Sequence, residues 1–174
     1  MSFPSTIRYF CYGSNLLSDR IRVKLKGSIK ISIGILSDYK LTFSGHSNLW
    51  KGATADVIPS EGSQVIGIIW SITYKDLEQL NLQEKGYKLI AITVESEEDN
   101  QLIECITYVQ TEEEKVRGRT ILGSMDGIPT IVYKEVIVRG AIEHNLPEDY
   151  IEMIKSFDAK EEKDCELAHL VGLK

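Results

Sequence analysis

Apolar residues gather into short runs from the start of the chain, and most of those runs carry the spacing of strands. "TIRYFCY", residues 6–12, predicts an early, largely buried strand that runs straight into Gly-Ser-Asn. "LLSDRIRVKL", 16–25, has mixed periodicity and fits a short helix. "SIKISIGILSDYKLTF", 28–43, alternates and is rich in isoleucine, with Gly34 where a bulge or bend lets a long strand curve. "GATADVIPS", 52–60, ends at Pro59 as a turn, and "SQVIGIIWSI", 63–72, is the most strand-like run of all. "TYKDLEQL", 73–80, predicts a helix, with Leu77 and Leu80 three apart.

Further on, "YKLIAITVE" (87–95) and "LIECITYVQ" (102–110) flank "SEEDNQ" as a hairpin with an acidic, solvated turn. "TEEE", 111–114, has the form of a capping box opening a short helix. "SMDGIPT" is loop, and the β-branched "IVYKEVIVRG", 131–140, predicts a strand. In "LPEDYIEMIKSF" the set Tyr150, Ile151, Ile154 and Phe157 follows helical spacing, and Pro147 suits the first turn. Many strands, several with internal glycines, and two or three short helices point to an α+β fold: a curled or closed sheet with helices outside. The regular strand–helix rhythm of a doubly wound fold is absent.

The chain's 174 residues suit one domain, 1–174, with 158–174 as a charged-then-apolar tail that is either docked or loose. Hydrophobic residues at 43% and charged residues at 26% are an ordinary balance. The net charge of -6 argues against nucleic acid as partner, since that affinity comes from neutralised phosphates. A small anion is still admissible, because backbone N–H groups hold carboxylates without net positive charge. Cys11, Cys105 and Cys165 are an odd number without metal or redox spacing, which favours a reducing compartment. "MSFPSTIRYF" lacks signal-peptide features, and no run is long and apolar enough for a membrane span, so cytoplasm is the expectation.

The chemistry-bearing candidates start with Tyr12-Gly13-Ser14-Asn15. A glycine turn allows close backbone approach, and successive N–H groups there can face an oxygen anion beside Ser14 and Asn15. The competing reading is a strand end with Ser or Asn capping a helix from Leu16, and on these residues alone capping leads. Glu84, in "NLQEKGY", lies between a helix and a strand, where partial desolvation makes a carboxylate a general base. His46, His144 and His169 lack zinc spacing, and the first two read as loop residues. Cys11 reads as a buried structural thiol rather than a nucleophile. "GSMDG" and "GHSNLWKG" lack a phosphate-loop lysine. Trp50 and Trp70 read as core or rim packing, and the runs Glu97–Asp99 and Glu112–Glu114 as solvated surface.

Taken together, "YFCYGSNL", "VIGIIWSI", "LNLQEKG" and "YKEVIVRGAIEHNLPEDYIEMIKSF" resemble the gamma-glutamylcyclotransferase family in order and approximate spacing, from about Thr6 to about Phe157. The resemblance is closest to the enzymes acting on gamma-glutamyl amino acids. It implies a compact mixed barrel and an enzyme, a carbon–nitrogen lyase that needs no cofactor or metal. It implies that Tyr9, Phe10, Cys11, Tyr12, Gly13, Ser14 and Asn15 form the glutamyl-binding loop, that Glu84 is the acid/base, and that Tyr133 lines the pocket. The products implied are 5-oxoproline and a free amino acid. Relatives form homodimers, so a homodimer is admissible here. Two segments, after Glu84 and between Phe43 and Trp50, are shorter than the family pattern, which implies a reshaped acceptor side. Three alternatives stay open: a non-catalytic gamma-glutamyl or small-anion binding module, a glutathione-specific cyclotransferase, and a protein-interaction role.

Overall fold

The structure, a computed structural model, describes residues 5–162 and 164–172. Residues 1–4, part of the N-terminal stretch read above for a leader, and residues 163, 173 and 174 of the tail lie outside them. Five strands form a closed barrel: β1 (Thr6–Cys11), β2 (Ile29–Ser47), β3 (Gly52–Thr73), β4 (Tyr87–Ser96) and β5 (Leu102–Gln110). Around the barrel the order is β1-β3-β2-β4-β5. Neighbours are antiparallel except β1 and β5, which close the circle in parallel through Tyr9 and Ile106. Five helices lie outside: α1 (Ser18–Arg22), α2 (Tyr74–Gln83), α3 (Glu112–Leu122), α4 (Ile131–Glu143) and α5 (Glu148–Lys155). The fold is thus α+β with a mixed barrel, as the glycine-interrupted strands suggested, but with more helix. None of the described helices is long and apolar enough to cross a membrane.

The barrel closes because two very long strands bend. β2 and β3 pair from Ile29 opposite Ser71 to Ser47 opposite Gly52, with register shifts after Lys30, Ser37 and Ser44. The bend assigned to Gly34 is therefore shared with bulges elsewhere. Gly34 itself pairs with Gly67, and a Cβ on Gly67 would lie 2.1 Å from the carbonyl oxygen of Cys11. That pair is where β1 and β2 press on β3 from either side. Pro59 does not end a strand. It sits inside β3 opposite Tyr39, next to residues 60–63, which bulge out of β3 opposite Asp38, and a residue without an N–H is tolerated beside such a bulge. Phe10, Ile68, Ile69 and Trp70 are wholly buried, and the Trp70 indole N–H donates to Cys11 Sγ at 3.1 Å.

Residues 131–140, expected as a strand, are the body of α4. β-branched composition favoured the strand, yet the buried positions 132/133, 136/137 and 140/141 repeat every four residues, which is the spacing of one helical face. Thr130 starts the helix by accepting a hydrogen bond from the Tyr133 N–H. The capping box expected at Thr111 is half present: Thr111 Oγ1 accepts from Glu114 N–H, but the Glu114 carboxylate accepts from the His46 N–H and pairs with Arg117. Glu114 is therefore not free surface, and His46 lies at the end of β2 rather than in a loop. The reciprocal box occurs instead at Thr73 and Asp76, opening α2. The helix expected over 16–25 is split into a 3-10 turn, Ser14–Leu16, and α1.

The tail is docked. Thr130 bridges Lys160, and Cys165 and Val171 are buried. His144 caps α4 and is also buried, with Nε2 3.0 Å from the Leu16 carbonyl and its ring edge-on to Trp70. α4 comes so close to the chain after β1 that a Cβ on Gly140 would lie 2.5 Å from Leu17 N and 2.7 Å from Leu16 C. Helix propensity favours Gly140→Ala by about 1 kcal/mol, whereas the contact with backbone opposes it by about 1–3 kcal/mol. Gly140→Ala is expected to lower stability in denaturant unfolding; a stabilised variant would show that the gap can open freely.

Candidate active site

The end of β1, the turn after it, the start of β3, the end of α2, the start of β4, β5 and the start of α4 converge on one mouth of the barrel. There a pocket of about 40 Å³ is lined by Tyr9, Tyr12, Gly13, Ser14, Asn15, Ala55, Glu84, Tyr87, Thr107, Tyr108 and Tyr133. It meets a wider basin of about 540 Å³, and Ser14, Glu84, Tyr87 and Tyr133 line both. Seven of the nine residues singled out from sequence therefore meet here: Tyr9, Tyr12, Gly13, Ser14, Asn15, Glu84 and Tyr133. Phe10 and Cys11 do not line the pocket; both are buried packing residues, and burial pushes the Cys11 thiol up to about 12.

The turn does not behave as a cap. No side chain caps the 3-10 turn or α1, and the Asn15 amide instead donates to the Tyr9 hydroxyl at 3.1 Å. The Gly13 and Ser14 N–H groups make no hydrogen bond among the described residues. A Cβ on Gly13 would lie 3.3 Å from Ala55 Cβ and 3.4 Å from the Tyr133 hydroxyl, so the turn is pressed against the pocket wall.

Five tyrosines line the pocket, and their hydrogen bonds sort them. Tyr12 donates to the Tyr108 carbonyl, Tyr108 to Asn81 Oδ1 at 2.5 Å, and Tyr87 to the Ala55 carbonyl at 2.6 Å. Tyr9 and Tyr133 only accept, from Asn15 and from the Ala55 N–H at 2.9 Å. Their own O–H protons remain available to a ligand. Burial raises all five phenols, so they are neutral donors. The Tyr133 ring is held between Phe43 and Trp50, and Gln110 donates to Tyr87 and Thr54 from behind.

Glu84 ends α2 as its C-cap, with its N–H on the Leu80 carbonyl at 2.9 Å. The turn to β4 is completed by Lys85 and by Gly86 at a φ of +82°, a left-handed conformation. Burial raises the Glu84 carboxyl to about 7, and the Arg20 guanidinium opposes that shift. Lys85 is exposed, so the cation acting on Glu84 is Arg20, which sequence reading missed. Tyr87, Thr107, Tyr108 and Ala55 were missed too. Tyr87, three residues after Glu84, had a signal in its closeness; Ala55 had none. Among the described residues no cluster of three or more His, Cys, Asp or Glu could hold a metal ion.

The closed barrel and its mouth pocket define the class, and residues 64–154 match the model of the AIG2-like family. The chain is 32% identical over 166 residues to mouse gamma-glutamylcyclotransferase, covering 91% of this chain and 82% of the relative. It is 33% identical over 163 residues to the bovine gamma-glutamylcyclotransferase, covering 89% and 80%. A solved gamma-glutamyl cyclotransferase structure superposes with a TM-score of 0.82 at 28% identity, covering 95% of this chain and 97% of that one. The chain belongs to the gamma-glutamylcyclotransferase family.

Tyr133→Phe removes the acceptor of the Ala55 N–H and leaves that group unpaired at the pocket wall. A cost of about 1–3 kcal/mol in denaturant unfolding is expected. An unchanged midpoint would show that the N–H has another partner.

Proposed function

We propose that the inner pocket holds the gamma-glutamyl group of a gamma-glutamyl amino acid and that Glu84 moves the proton during its cyclisation. The free α-amine attacks its own γ-carbonyl, so nucleophile and electrophile are already tethered. A bond forms from the α-nitrogen to the γ-carbonyl carbon while the C–N bond to the acceptor breaks, leaving 5-oxoproline and a free amino acid. The α-amine, protonated below about pH 8, must lose a proton to attack, and the departing nitrogen must gain one. A single carboxylate does both, first as base and then as acid. The Gly13 and Ser14 N–H groups and the Tyr9 and Tyr133 hydroxyls are the donors available to the substrate carboxylate and to the oxyanion formed on attack.

One observation carries this reading. A carboxyl lifted to about 7 lines the same small pocket as Gly13 and Ser14, whose backbone N–H groups make no hydrogen bond among the described residues. A general base is most effective when its pKa lies near the working pH. Three free, buried cysteines support the reducing cytoplasmic setting that goes with the proposal. A homodimer is also part of it; the docked Val171 and Cys165 mean that such a dimer uses a face other than those tail residues.

Glu84→Gln is expected to reduce 5-oxoproline release from gamma-glutamyl-alanine by about 100-fold or more, read by mass spectrometry. Its stability at pH 8 should match or exceed that of the unsubstituted protein. The reason is one of sign: a carboxyl raised in the fold stays neutral while its unfolded counterpart ionises, so stability falls between about 4.5 and 7. The glutamine variant escapes that loss. Substantial turnover by Glu84→Gln overturns the assignment. Ligand binding without product selects the binding module, and equal turnover of glutathione selects the glutathione-specific branch.

The pH profile is a separate check. Glu84 must be ionised to accept a proton, so kcat/KM should rise tenfold per pH unit below about 7 and flatten above it. Full activity at pH 5 would mean that another group is the base.

A further inference from the structure

Two cations on the outer basin make no ion pair among the described residues, Lys85, which is exposed to water, and Arg20, which is buried. Arg20, on α1, is only 5% exposed, yet among the described residues its side chain makes no ion pair and no hydrogen bond. Its Nε is buried and unsatisfied, and the guanidinium carbon stands 5.6 Å from the centre of the Trp50 ring. Arg117, on the same basin wall, is already committed to Glu114 at 2.7 Å and to the His46 carbonyl. A buried unpaired charge is costly, and a guanidinium presents a planar fork of donors that fits a carboxylate through two parallel bonds.

The substrate supplies such a carboxylate at the right place. With the γ-carbonyl beside Glu84, where pocket and basin join, the acceptor residue extends into the basin that Arg20 lines. In a gamma-glutamyl amino acid the acceptor's carboxyl carbon is two bonds from the scissile nitrogen. We propose that Arg20 is the receptor for the acceptor's free α-carboxylate. This rests on the cyclotransferase reading and names the feature by which its substrate is chosen. Gamma-glutamyl amines lack that carboxylate, and in glutathione the same carbon is tied up in a peptide bond. The guanidinium carbon lies over the Trp50 ring, whose face attracts the charge without using up a hydrogen-bond donor.

Arg20 also attracts Glu84, so a loss of activity on substitution would not by itself separate the two roles. A pair of substrates does. The protein, Arg20→Met and Arg20→Lys are compared on gamma-glutamyl-alanine and gamma-glutamyl-alaninamide, at a pH above the Glu84 transition. The unsubstituted protein is expected to prefer the acid by about 10- to 100-fold in kcat/KM. In Arg20→Met that preference should fall to within about threefold, the loss lying on the acid substrate; Arg20→Lys should keep part of it. The ratio is taken within one preparation, so a reduced folded fraction cancels.

Equal loss on both substrates in Arg20→Met, with the preference intact, overturns the inference and assigns Arg20 to Glu84 or to the glutamyl carboxylate. Turnover by the unsubstituted protein without preference overturns it alone. Silence on every gamma-glutamyl compound overturns the proposed reaction, and the inference with it.

Discussion

The close approach of α4 to the chain leaving β1 is the contact on which the pocket depends. Gly140 leaves no room for a side-chain carbon against Leu16 and Leu17. The same helix carries Tyr133 down to the Ala55 N–H. His144, at its far end, reaches the Leu16 carbonyl. One helix therefore sets the position of the glycine turn, of the wall opposite it and of a free phenolic donor between them. α1 follows the turn directly, so Arg20 is placed by the same contact.

Inside that frame the electrostatics are simple. The inner pocket has Glu84 as its charged lining residue, the other charges lining the outer basin, and burial lifts Glu84 while lowering Arg20. Each opposes the other's shift without forming an ion pair among the described residues. A contact ion pair would hold the carboxylate ionised and weak as a base. Separation leaves Glu84 near neutrality and Arg20 open to an anion. The tyrosines, all pushed upward by burial, add donors without adding charge.

Much of the barrel was legible. β1, read as a largely buried apolar run, and β4 and β5, read as a hairpin around an acidic turn, lie within a residue of those bounds. β3 was read as two strands meeting at a turn after Pro59; it is one strand, but residues 60–63 loop out of it just there, four of them opposite the single Asp38 of β2. α4 was misread because β-branched side chains favour strands when judged one at a time. Burial against the barrel overrode that preference. In the pocket, Glu84 and the glycine turn were marked by type and position, whereas Phe10 and Cys11 were carried along as neighbours in sequence. Only the strand's packing separates them from Tyr9.

By itself the sequence determined residue types and local spacing: a glycine turn after a buried strand, a carboxylate at a helix end, enough apolar surface for one barrel. Those are properties of short segments, set by backbone sterics and hydrophobic periodicity. The tertiary structure decided which of many glutamates is desolvated, which tyrosines have a proton to give, and which arginine is buried without an ion pair among the described residues. Each of these depends on groups far apart in the chain, such as Ala55 with Tyr133, or Arg20 with Trp50. Desolvation and hydrogen-bond commitment arise only when such segments meet.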